Sequence, residues 1–383
     1  MKNILLTFAT IIFGSLFAFS QRVPPPDSPR KVQVAILFDT SNSMDGLIDQ
    51  AKSRIWNIVN EVSSLQYNGQ TPAIEIALYQ YGNDGLSKSE NYIEQLLALT
   101  SDLDVISEKL FGLRTNGGSE YCGAVIGKSL ADLNWSVNPT DLKMIYIAGN
   151  EGFAQGPVDY KIECKRAADR GIFINTIYCG NYDQGVREFW QDGASCSKGD
   201  YFNIDSDRKI AHIDTPYDEE INTYNDSLNQ TYYGYGSTGA VRKSTQTFQD
   251  SNAEMESAAV KTERSISKSK KGVYKNSSWD LNDAVEEGEV DLSKIEEKDL
   301  PEEFRGKTVE EKEKMLEENS AERDRFQAKI AELAKNRQTF IDDERKKQAA
   351  AGEKVDDFGT SVNTSIMEKA VEIGFEKEAQ NKE

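Results

Sequence analysis

Short apolar runs recur through the first half of the chain, and between them the apolar positions shift to helical spacing. Val34 to Phe38 is unbroken by polar residues, the pattern of a parallel strand buried on both faces. Behind it Leu47, Ile48, Ala51, Ile55, Ile58, Val59 and Val62 repeat as one face of a helix. In Ile74 to Tyr81 the residues Ile74, Ile76 and Leu78 alternate with their neighbours, and Tyr92 to Leu97 is expected to pair with that run as an edge hairpin. Leu103, Ile106 and Leu110 predict a helix, and Tyr121 to Leu133 predicts another. Met144 to Ala148 reads as a strand, followed by a helix from Pro157 to Arg170, with Pro at a favourable first position. Ile172 to Tyr178 and Tyr201 to Ile204 complete the strands, and Asp218 to Thr231 a closing helix. The alternation predicts an α/β fold, a doubly wound, mostly parallel six-stranded sheet covered on both faces. Such sheets bind ligands at the carboxyl ends of their strands.

The pattern changes near Ser237. Residues 240 to 280 are polar and Ser/Lys-rich, with Val273, Tyr274 and Trp279 embedded. Residues 283 to 303 hold ten acidic side chains against two basic ones, which reads as a solvated spacer. From Thr308 to about Lys347 the chain is rich in Glu, Lys, Arg and Ala, and Met315, Phe326, Ile330, Leu333 and Phe340 form a thin apolar stripe. Thr308 and Glu311 open it as a capping box. So narrow a stripe suits a coiled coil or a helix docked on a partner, and equally a helix folded back on its own domain. A short helix from Ser365 to Ile373 is expected in the tail. These shifts divide the chain into 1–20, 21–31, 32–235, 236–306 and 307–383.

Composition narrows the partners. At 383 residues, two folding units are the natural expectation. A formal net charge of -19 argues against nucleic acid and anionic membrane. Lys2, the apolar Ile4 to Phe19 and the small-x-small triplet Ala18-Phe19-Ser20 read as a secretory signal, with a Pro-rich linker at 21–31. A periplasmic or secreted location follows, and no second stretch is long enough to span a bilayer. The four cysteines, Cys122, Cys164, Cys179 and Cys196, then suggest two disulfides, in any of three pairings. Zinc and redox motifs are missing, and His212 is the only histidine.

The chemistry is concentrated where the first strand ends. Asp39, Ser41 and Ser43 place a carboxylate and two hydroxyls at a strand-to-helix junction, a set of hard oxygens suited to Mg2+, with Mn2+ or Ca2+ as alternatives. Asp-x-Ser-x-Ser after a hydrophobic strand resembles the metal-ion-dependent adhesion site of von Willebrand factor A domains, over roughly residues 32 to 235. The resemblance implies that the strand order reverses between the first strand and the Met144 strand. It also implies three loops converging on the ion. Gly117-Gly118-Ser119 resembles the second loop, offering Ser119 or, alternatively, Thr115. The third loop departs from the family: Ala148-Gly149-Asn150-Glu151 has Gly149 where the carboxylate is expected, leaving Asn150 or Glu151 to reach the ion. The stretch from Ile147 to Pro157, with Glu120-Tyr121-Cys122-Gly123, resembles a set of exported bacterial A-domain proteins.

What the resemblance implies is recognition, in which a partner protein's acidic side chain completes the coordination of a divalent cation. Two rivals compete with it. One is a metal-free scaffold acting through its C-terminal helix, including helix-mediated self-association. The other is a Mg-dependent phosphohydrolase with a strand-end aspartate, although Ser41 stands where such enzymes carry a second acid. With one histidine and no phosphate loop, the expectation is a protein that is not an enzyme.

Overall fold

The apolar run at Val34–Phe38 forms the middle of a six-stranded sheet. The computed structural model describes residues 29–45, 48–204, 213–352 and 358–377. In chain order these begin β1 (Lys31–Asp39), α1 (Ile48–Val62), β2 (Leu65–Gln66), β3 (Ala73–Tyr81), β4 (Ile93–Thr100), α2 (Leu103–Phe111) and α3 (Cys122–Asp132). They continue with β5 (Leu142–Gly149), α4 (Tyr160–Asp169), β6 (Phe173–Cys179), α5 (Tyr182–Arg187), α6 (Trp190–Ser195), β7 (Tyr201–Ile204) and α7 (Asp218–Gln230). The sheet order is β4-β3-β1-β5-β6-β7, with β4 antiparallel to β3 and the other neighbours parallel. From β1 the chain fills one side of the sheet and then crosses to β5 on the other. The order therefore reverses between β1 and β5, and their carboxyl ends open a crevice there. The expected α/β architecture is the one observed. The signal-peptide reading, most of the 21–31 linker and His212 lie outside the described residues.

Two cores flank the sheet because successive strand residues point to opposite faces. Val34, Ile36 and Phe38 pack with Trp56, Val59 and Val62 of α1 and with Ile106 and Leu110 of α2. Leu37, Ile145 and Ile147 pack on the other face with Val125 and Ile126 of α3, Cys164 of α4 and Trp190. Helix α4 begins later than expected. The Asp159 carboxylate caps it by accepting from Lys161 N at 2.9 Å, and Pro157 stays in the loop before it. Helices α5 and α6 went unread because six residues are too few to show a period.

The cysteine expectation is half corrected. Cys164 and Cys196 form a disulfide, whereas Cys122 and Cys179 are buried free thiols. The sheet separates them: Cys122 belongs to the α3 side and Cys179 to the α1 side.

The rest of the chain builds a second layer over α1 and α2. It comprises α8 (Gly239–Glu256), α9 (Ala258–Lys268), α10 (Leu281–Glu286), α11 (Val309–Ala350), α12 (Phe358–Glu372) and β8 (Glu376–Lys377), which pairs antiparallel with β2. Val260, Val273, Tyr274, Trp279, Ile330, Leu333, Val362 and Ile366 join the same core as Val34 and Phe38. The acidic stretch is no bare spacer either. Leu281, Leu292, Leu300, Phe304 and Leu316 form a small core of their own, at spacings too irregular to show a period. Helix α11 opens with the expected Thr308/Glu311 capping box. It lies against α7, α9 and α10, which bury Ile330 and Leu333, so those positions of its stripe are used within the chain and not in a coiled coil.

Buried ions fasten this layer. The fully buried Arg264 of α9 donates to Asp250 Oδ1 of α8 at 2.8 Å, to Ser107 Oγ of α2 at 2.7 Å, and to Asp104 of α2. Lys268 Nζ reaches Asp250 Oδ2 at 2.6 Å, and Tyr274 donates to Asp104 Oδ2 at 2.7 Å. Arg323 of α11 bridges Asp280 and Asp283, and Arg337 bridges Asp218 and Glu263.

Candidate metal centre

The site grows from the end of β1. Thr40 N donates to Tyr81 O of β3 at 2.9 Å and Thr40 O accepts from Asn116 N at 2.9 Å, which ties the first loop to its neighbours. Ser41 N turns back to Asp39 Oδ1 at 2.8 Å, and a short turn over Asn42–Met44 buries Met44 as an anchor. Ser41 Oγ and Ser43 Oγ lie 2.8 Å apart. Ser43 Oγ then donates to Asn150 Oδ1 at 2.8 Å, and Asn150 Nδ2 returns to Ser43 O at 2.8 Å. The first and third loops are thereby latched together.

Glycine brings in the second loop. A Cβ on Gly118 would fall 1.9 Å from Gly82 O, so only glycine lets this loop cross the end of β3. The crossing delivers Glu120 beside Asp39: a Cβ on Gly82 would meet Asp39 Oδ1 at 2.8 Å and Glu120 Cγ at 3.0 Å. Gly149 is explained in the same way. A Cβ there would lie 2.7 Å from Tyr81 OH, 3.0 Å from Asp39 Oδ2 and 3.0 Å from the Trp190 ring. The carboxylate of Asp39 fills the space that a side chain at 149 would need.

The electrostatics are one-sided. Asp39 is fully buried, and its Oδ2 has no hydrogen-bond partner. Burial pushes its carboxyl up to about 7, the Ser41 hydrogen bonds oppose this, and the like charge of Glu120 adds to it. Glu120 is itself raised, by burial first, with Glu151 and Asp84 contributing repulsion. The like charges acting on this pair are thus all carboxylates.

The structure joins Asp39, Ser41, Ser43 and Asn150 in one hydrogen-bonded chain. The other candidates sit apart from it. Thr115 Oγ1 donates to Asp45 at the rim, and Ser119 is half-buried next to Glu120. Glu151 is exposed, and its carbonyl accepts from Trp190 Nε1 at 2.7 Å. Sequence reasoning missed Glu120 as a site residue, although it directly follows Gly117-Gly118-Ser119. Asp39, Glu120, the two serine hydroxyls and the Asn150 amide oxygen are all hard donors, and the orphaned Oδ2 is an acceptor that a cation would satisfy. The residues fit such an ion. Among the described residues no three His, Cys, Asp or Glu side chains are gathered around one point, so neutral oxygens would supply much of the coordination.

No family model matches this chain, and no curated protein is similar to it. Several solved structures are distantly similar. The conserved hypothetical protein BatB from Bacteroides thetaiotaomicron is 17% identical, over 45% of this chain and 90% of that one, with a TM-score of 0.35. The SpRpn10 VWA domain is 15% identical, over 47% of this chain and 90% of that one, with a TM-score of 0.36. Proximal thread matrix protein 1 from the mussel byssus, with a zinc-occupied MIDAS motif, is 13% identical, over 47% of this chain and 43% of that one, with a TM-score of 0.36. Each likeness is confined to less than half of the present chain.

Proposed function

We propose that this is an exported binding protein that recognises an acidic side chain of another protein through a divalent cation held at the β1–β5 crevice. The observation that carries the reading is the buried Asp39 carboxylate, its Oδ2 without a hydrogen-bond partner, beside Glu120 at the strand ends where the sheet order reverses. Asp39, Glu120, Ser41 and Ser43 would hold the ion, with Asn150 keeping Ser43 in place. Two carboxylates and two hydroxyls leave an octahedral ion with open coordination positions, and a partner's carboxylate can fill one of them. Mg2+ is the first expectation, with Mn2+ and Ca2+ as alternatives, because every donor is an oxygen.

Export rests on the N-terminal charge, apolar run and cleavage triplet. We assign binding and no catalytic step, and a phosphate-release assay with Mg2+ tests that half of the reading. For the binding half, calorimetry with MgCl2 or MnCl2 on the chain freed of metal by EDTA should give heat, and Asp39→Asn should remove it. The absence of heat and of any melting shift with either salt would sink the proposal.

A further inference from the structure

Helices α7, α8 and α9 enclose a cleft of about 480 Å³ that shares no residue with the Asp39 site. That volume lies in the range of small-molecule sites, roughly 300–1,000 Å³. Its floor is built and electrically complete. Asp250 Oδ1 accepts from Arg264 Nε at 2.8 Å and Lys268 Nζ at 2.9 Å, and its Oδ2 from Asn225 Nδ2 at 2.8 Å and Asn229 Nδ2 at 2.7 Å. The floor therefore ties the three helices together and offers no bare carboxylate to repel an anion. The walls are less complete. Lys243 of α8 lines the cleft half-buried, and its ammonium has no ion-pair or hydrogen-bond partner among the described residues. Lys261 of α9, its side chain 12% exposed, lines it as well, 3.0 Å from Glu254 and 4.0 Å from Asp226.

We propose that this cleft binds a small hydroxylated anion, a sugar-sized molecule carrying one carboxylate or phosphate. An ammonium that gives up part of its hydration without a counterion is costly, and an anion on Lys243 would offset that cost through charge-assisted hydrogen bonds. Lys261 is the second donor. Asp226 and Glu254 already share its charge, which leaves Lys243 as the one unanswered cation and limits the ligand to a single anionic group. The rest of the lining sets the body of the ligand. No lining residue has an apolar side chain, so a hydrocarbon or aromatic body would gain little there. Gln230, whose side chain has no hydrogen-bond partner among the described residues, and the half-open Asp226 carboxylate can instead exchange hydrogen bonds with hydroxyl groups. Thr247 and Ser251 present further hydroxyls on the α8 wall.

Calorimetry on the full chain tests this, with glucuronate, a hexose phosphate, glucose and inorganic phosphate titrated in the presence of EDTA. Either acid, or both, should give heat, and the one that does names the anionic group. Glucose should give none, and inorganic phosphate should bind about tenfold more weakly. Lys243→Met should weaken binding of the sugar acid by about tenfold with the melting temperature unchanged, and Lys243→Arg should keep most of it. No heat from either acid overturns the proposal, as does heat that Lys243→Met leaves intact. Inorganic phosphate binding as tightly as the sugar acids would reduce the cleft to a bare charge and overturn the hydroxylated ligand. Heat that appears only when Mg2+ replaces EDTA belongs to the Asp39 site and overturns the proposal too.

Discussion

Two buried aspartates, Asp39 and Asp250, experience burial in opposite ways. Both lie inside the protein, and burial alone disfavours the charge on each. Asp250 overcomes this because Lys268 and Arg264 hold its carboxyl well below the usual range, with Asn225 and Asn229 also donating to it. Asp39 has only the hydrogen bonds of Ser41 and Asn150 to set against burial, no cation, and the like charge of Glu120 beside it, so its carboxyl rises to about 7. The first site contains its own cations and is finished. The second lacks them, and the proposed cation would supply what is missing. Burial by itself therefore says little about function; the charge left unanswered says more.

The largest effect should come from dismantling the finished site. Arg264→Leu leaves Asp104 without its arginine and Asp250 with one cation fewer, and should cost about 3–5 kcal/mol in urea unfolding. A loss near zero would mean that the apolar core alone holds the second layer.

The incomplete site should show itself through pH. The folded-state value of Asp39 lies above its unfolded one. The metal-free protein should therefore be most stable with respect to this group below about pH 4, and should lose up to about 4 kcal/mol between about pH 4 and pH 7, with no further loss above. Asp250 works in the opposite sense, because its lowered value adds stability above about pH 4 that is lost as pH falls further. Urea unfolding across that window should lose this decline in Asp39→Asn, and also in wild type with Mg2+. If the decline persists in Asp39→Asn, it belongs instead to Asp283, which burial and Asp280 raise to about 6.

A smaller change tests the residue that the sequence did not reveal. Glu120→Gln should lower Mg2+ affinity by about tenfold, roughly 1.4 kcal/mol, in calorimetry. It should also lower the pH at which the Asp39 decline ends, by removing a like charge. Unchanged affinity would remove Glu120 from the ligand set. The smallest effect belongs to Thr308→Ala, which breaks the capping box of α11 and should cost about 1 kcal/mol by the same unfolding assay, with no effect on metal affinity.

Much of the sheet was legible because both periodicities are strong in it. Val34–Phe38 and Met144–Ala148 read as buried parallel strands, and Tyr201–Ile204 was located to the residue. The second layer was harder to read. Leu292, Leu300 and Phe304 are scattered among acidic residues, and only the fold brings them into one cluster. At the site, Asp39, Ser41 and Ser43 were readable because one loop carries them all. Glu120 was not, since its place beside Asp39 depends on Gly82 and Gly118 letting two distant loops touch.

By itself the sequence determined the alternation of strands and helices, the hydroxyl-rich turn after β1, and the capping box of the long helix, because each depends on residues a few positions apart. Tertiary structure alone decided that α11 folds back on its own chain, that Cys122 and Cys179 stay apart, and that Asp39 meets a carboxylate while Asp250 meets cations. Those outcomes depend on which distant segments become neighbours, and local spacing carries no record of that.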